Sequence, residues 1–174
     1  LKEHLLKKEN APSKGKQLWS TLTNKYTGIA LLFSGVMMMG HFLIIPFINP
    51  YMEFNKGYPR SVTPLIYLVG GVASFIAAVY LGRLSDKVGK LKVFMYCVPL
   101  SFVMVLLITN MPALPFSIVL SFFGIWFALA TGRAVTSQTM VSNVTGAANR
   151  GSFMSLNSSI QHLGTGVAAL VSGY

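Results

Sequence analysis

Gly82-Arg83-Leu84-Ser85-Asp86-Lys87-Val88-Gly89-Lys90-Leu91-Lys92 is a charged, glycine-bounded turn between two long apolar runs. Neither Pro64 to Leu81 on one side nor Val93 to Thr109 on the other carries a charge. A helix that crosses a bilayer needs about 20 mostly apolar residues, at a rise of about 1.5 Å each, and both runs approach that length. A connection this short makes the two spans antiparallel neighbours. Four of its eleven residues are Lys or Arg, which by the positive-inside bias puts the turn on the cytoplasmic face. Each residue type has a physical use here. Gly82 lets a helix end approach a neighbour closely, and Gly89 permits the positive φ of a tight turn. Asp86 offers a carboxylate to backbone N–H groups or to the positive end of a nearby helix. Lys87 and Lys90, with their basic neighbours, hold the turn at the lipid headgroups.

Composition agrees with a membrane solvent. Of the 174 residues 53% are hydrophobic and only 10% charged, against about 25% charged in soluble domains. Lys and Arg outnumber Asp and Glu by 14 to 4. Most of this excess lies in the first 25 positions and around the turn. There is no basic stripe interleaved with aromatics in a polar context, so the charge expresses membrane topology and not nucleic-acid binding. The single Cys97 supplies neither an internal disulfide nor a multi-thiolate metal site, and is expected to be a small buried or lipid-facing side chain. No metal or cofactor is expected. The chain starts at Leu1 and stops at Tyr174 in an apolar run, so a fragment of a longer membrane protein is expected. Residues 1–26 lack the apolar core of a signal peptide. They form a basic cytoplasmic linker, or an interfacial helix carrying Leu18, Trp19 and Leu22 on one side.

The fold class expected is all-α, a polytopic membrane bundle of about five spans near 27–52, 64–82, 93–109, 116–140 and 152–174. The first carries His41 near its middle, with Ser34, Met38 and Ile45 on the same face. Pro46 and Pro50 break its outer end, where Asn49 adds a polar group. Broken backbone survives in a membrane only where protein or a wet cavity covers it, so this end is a candidate outer gate. In the second span Gly70, Ser74, Ala78 and Gly82 form a small-residue ridge suited to close helix packing. The third span is bulky and apolar, with Pro99 inside it, and reads as lipid-facing. The fourth has its own ridge at Gly124, Ala128 and Gly132, then turns polar through Thr131, Arg133, Thr136, Ser137 and Gln138. An arginine at membrane depth is expensive unless paired or hydrated. Arg133 therefore either snorkels to the inner surface or meets a wet cavity, contacting substrate or a carboxylate elsewhere in the protein. In the fifth span Ser155, Ser158, Ser159, His162, Thr165 and Gly166 share a stripe expected to line a cavity or pack on another helix. His41 and His162 are candidate proton carriers, because imidazole titrates near neutral pH. Both glycosylation-like triplets, at Asn143 and Asn157, are discounted by their placement.

Gly82, Asp86, Lys87, Gly89 and Lys90 fill a pattern that resembles the cytoplasmic loop signature of the major facilitator superfamily. That signature sits between the second and third helices of such transporters and recurs between the eighth and ninth. The long basic lead-in resembles their central loop. Pro46-Phe47, Pro50-Tyr51, Gly132-Arg133 and the run from Arg150 to Ser155, with Ser159, Gln161 and Leu163, resemble bacterial drug and sugar efflux members. Five alternating spans with this turn fit either helices one to five or seven to eleven of such a transporter, and the lead-in and the efflux-like runs select seven to eleven, the rest being a missing N-terminal half. The resemblance implies that the first and fourth spans line a central cavity, the second and fifth meet the other half, and the third faces lipid. It implies further that Asp86 latches onto the other half in one conformation and releases it in another.

The function expected is secondary active transport. A small-molecule substrate would leave across a bacterial inner membrane by alternating access, with proton coupling. The alternative is a non-transporting membrane sensor or scaffold. An intramembrane enzyme is excluded on its chemistry: no metalloprotease or nucleophile-elbow motif and no paired aspartates lie in the spans.

Overall fold

A computed structural model of the chain describes residues 23–146 and 149–172. The basic segment 1–22, with the interfacial helix expected at Leu18, Trp19 and Leu22, lies outside the described residues. Five long helices succeed one another: α1 (Lys25–Phe42), α2 (Pro64–Val88), α3 (Lys90–Asn110), α4 (Phe116–Ser142) and α5 (Arg150–Ser172). No strand occurs among the described residues, and the all-α membrane fold class holds. α2, α3, α4 and the segment Lys25–Asn55 containing α1 are long and apolar enough to cross a bilayer. α5 has the length, at 23 residues, but its serines, His162 and Gln161 make it more polar than the other four.

The chain divides into two compact units. One comprises residues 41–140. Here the first span breaks after Phe42 into a 3-10 turn (Ile45–Phe47), a single α turn (Ile48–Pro50) and a π turn (Tyr51–Asn55). Pro46 and Pro50 cause this, because each lacks the N–H that would close a helical bond and its ring crowds the preceding turn. The backbone is not left bare: Tyr67 of α2 donates to the Ile45 carbonyl at 3.2 Å.

α2 and α4 cross on their small residues. A Cβ placed on Gly70 would collide with the Phe127 ring, and Ser74 Oγ donates to the Phe127 carbonyl at 3.4 Å. Gly124 meets Val69 and Ala73, and Gly132 meets Leu81 and the Cys97 sulfur. The packing expected of both ridges is therefore present, except at Gly82, where an added Cβ would meet nothing. α3 buries one stripe, Val93, Cys97, Ser101, Met104 and Ile108. Its other side exposes bulky apolar groups such as Met95, Leu100, Phe102 and Val103.

The other unit comprises residues up to 40 and from 141 onward. α1 and α5 cross at Gly35 and Gly164, where a Cβ on Gly164 would sit 2.5 Å from the Gly35 carbonyl oxygen. Gln161 Nε2 donates to the Ser34 hydroxyl beside the crossing at 3.2 Å. Ala30, Leu31, Val141 and Phe153 form the core of the unit. Arg150 closes the turn into α5, donating to the Ser142 carbonyl and the Asn143 side chain. The triplet at Asn157 is no glycan acceptor, since that side chain is fully buried in α5.

The charged stretch differs from the expected eleven-residue turn. α2 continues through Gly82 to Val88, and α3 starts at Lys90. The whole junction is Gly89, at φ 102°. Gly82 does not stop the helix because Arg83, Leu84 and Lys87 after it are good helix formers.

Candidate functional site

Two places gather the functional candidates, both within residues 41–140. The first is the α2–α3 junction. Gly89 takes a backbone geometry that a side chain would strain, which lets two helices meet with no loop. The Asp86 side chain is 73% exposed, and its ion pair with Lys90 is long, at 3.7 Å. Such a pair adds little to stability. The carboxylate caps no helix end, contrary to one use the sequence suggested for it. Arg83, Lys87 and Lys92 are exposed around it.

The second place lies where the first span breaks. Leu43, Ile44, Phe47, Ile48 and Tyr51 of the broken segment face Val105, Ile108 and Thr109 of α3 and Phe123 and Trp126 of α4. They line a half-open apolar cleft of about 220 Å³. Side chains from the segment after the break fasten it to the α3–α4 turn. Tyr51 Oη donates to the Thr109 carbonyl at 2.6 Å, Lys56 Nζ to the Met111 carbonyl at 2.6 Å, and Tyr58 Oη to the Leu114 carbonyl at 2.6 Å. These carbonyls at and beyond the α3 terminus have no helical partner, so donors there are favourable.

His41 stands at the top of the break, its ring 6.4 Å from that of Trp126 and nearly parallel to it at 16°. Trp126 is only 1% exposed, and its indole Nε1 has no hydrogen-bond partner. Arg133 is seven residues further along α4, two turns on and therefore on the same face. It lies within Coulombic reach of His41 and Cys97. Its Nε is buried without a partner, and no carboxylate pairs with it among the described residues.

The remaining candidates are dispersed. Asn49 is half-buried in the broken segment with its Oδ1 unpartnered. Gln138 is half-buried on another face of α4. His162 belongs to the other unit and is exposed, as are Ser155, Ser158, Ser159 and Gly166. Most of the α5 stripe is therefore exposed, with Thr165 half-buried. α5 instead packs through Phe153, Asn157, Ile160, Gly164 and Ala168. No group of His, Cys, Asp and Glu suited to a metal occurs among the described residues.

Sequence reasoning passed over Trp126, Asn157 and the three fastening side chains. Trp126 sits in an apolar run with nothing to mark its indole as buried and unpaired. Tyr51, Lys56 and Tyr58 carry a weak signal, being polar-tipped residues just after a doubly proline-broken span.

Four long apolar helical segments, one with a half-buried arginine in it, define a multi-pass membrane protein. The match to the family model of the Major Facilitator Superfamily runs over residues 16–174, nearly the whole chain, and the chain belongs to that family. No curated protein and no solved structure matches it. At the level of the family the protein is a membrane transporter and not an enzyme.

Proposed function

We propose that the chain forms helices seven to eleven of a secondary transporter that exports a small molecule across a bacterial inner membrane. It works by alternating access with protons moving inward, and residues 1–26 lie on the cytoplasmic side. The observation that carries this reading is the state of Asp86. The carboxylate stands 73% exposed beside a one-residue junction and is held only by a long pair to Lys90. A residue kept for folding would be tied into the packing. One left free at a rigid elbow is available to a helix of the remaining half, and making and breaking that contact biases the two access states. Gly82, Lys87 and Lys90 complete the same surface. Gly82 leaves room for close approach, and the lysines sit at the headgroups. Apart from Asp86 at the junction and Glu53 beyond the break, the described spans hold no acidic residue, so protons here would travel through histidine. His162 is the accessible one, on the exposed stripe of α5.

The test is Asp86→Asn in the intact protein. Transport is expected to fall at least about tenfold, while the amount of protein in the membrane stays at the wild-type level. A parallel loss of both would make Asp86 a folding residue and remove the support for the latch.

A further inference from the structure

Trp126 of the cleft and the half-buried Arg133 lie on one face of α4, and together they specify a kind of cargo. Phe47, Tyr51, Phe123 and Trp126 give the cleft four aromatic walls, and no charged side chain is among its ten lining residues. An apolar protein cavity of about 150 Å³ accepts benzene. The volume here, about 220 Å³, suits one ring or two fused rings and excludes a hydrated, purely polar molecule.

Trp126 and Arg133 are separated along α4 by about 10 Å. Side chains of a helix tilt toward its N-terminus, so the guanidinium arm leans toward Trp126 and away from the Ser142 end. Snorkelling toward that end would oppose this tilt, and the Nε is buried without a partner although the residue is half-exposed. A cation at this depth needs a counter-charge, and none is supplied by residues 41–140, whose two carboxylates are Glu53 beyond the break and Asp86 at the junction.

We propose that this face binds an amphipathic organic anion. The flat apolar body lies in the cleft against Phe47, Phe123 and Trp126, and the anionic group sits on the Arg133 guanidinium. The proposal names the cargo of the transporter and rests on that reading only for the word cargo. Binding itself is independent of movement. The same arrangement disfavours cationic compounds, which would bring a second positive charge beside Arg133.

The experiment uses the intact protein in lipid nanodiscs, with radiolabelled 2-naphthoate as the probe and 2-naphthamide, its uncharged counterpart of nearly the same shape, as competitor. Wild type is expected to prefer naphthoate by at least about tenfold, as a charge-assisted contact to a guanidinium requires. Arg133→Gln should reduce the preference to within about twofold by lowering naphthoate affinity alone, and Arg133→Lys should keep much of it. Phe47→Ala should weaken both ligands alike, by about fivefold, through lost apolar contact. Failure of wild type to bind either compound, equal affinity for both, or a preference that survives Arg133→Gln would each overturn the proposal. In the last case a carboxylate elsewhere in the protein is the partner of Arg133. Preferential binding without transport in proteoliposomes would discard the transport reading and leave the site standing.

Discussion

Two connections within residues 41–140 solve the same problem in opposite ways. From α2 to α3 the chain uses a single residue, Gly89, and its charged side chains remain exposed. From α1 to α2 it takes a long irregular path through 3-10, α and π turns, and three side chains fasten the segment after the break to neighbouring backbone. The first connection is fixed by local backbone geometry and needs no tertiary partner. The second has little local reason to hold its shape and depends on hydrogen bonds to distant residues. A connection that is rigid by itself can leave its polar groups free to meet something else. One that is irregular must use its polar groups to hold its own shape against its neighbours.

The contrast gives different consequences for mutation. Gly89→Val should produce the largest loss of stability, about 2–3 kcal/mol, because a β-branched residue cannot relax at this φ. The apparent melting temperature of the purified protein, measured by size-exclusion chromatography after heating, would show it. An unchanged value would mean that the junction is not set by local geometry. Tyr58→Phe comes next. It removes the bond to the Leu114 carbonyl and also the acceptor for the Leu114 N–H, and about 1–2 kcal/mol should be lost. Faster hydrogen exchange confined to residues near 51–58 and 109–116 would locate the effect. Exchange that rises evenly across the protein would contradict the local role. Lys90→Met should change stability least, by about 0.5 kcal/mol or less, since a long exposed ion pair contributes little. A larger drop in the same melting assay would mean that Asp86 is held more firmly than its geometry indicates.

Much of the fold is legible because its determinants are local. Uncharged runs give the spans, Pro46 and Pro50 give the break, and the glycine spacing in α2 and α4 gives their crossing. The end of α2 is less legible. Gly82 is a poor helix former, but Arg83, Leu84 and Lys87 carry the helix past it, and of these two glycines it is Gly89 that takes a positive φ. The candidate site is legible in part. Arg133 and His41 stand out as polar groups in apolar surroundings. That they share surroundings with Trp126, at the edge of an apolar cleft, depends on how a broken helix meets α3 and α4, and no spacing rule encodes that. The exposure of Asp86 is likewise a property of what does not pack around it.

The Gly35–Gly164 crossing bears on how the protein is made. A segment as polar as α5 gains too little from lipid to partition there on hydropathy alone, and its emergence from the ribosome comes after α1 is already synthesised. Ser34 and Gly35 then offer a prepared berth, with a bare backbone to lie against and a hydroxyl for Gln161. Membrane insertion of α5 becomes a recognition event between two segments of one nascent chain, and a bulky residue at either glycine would turn a packing defect into a failure of topogenesis.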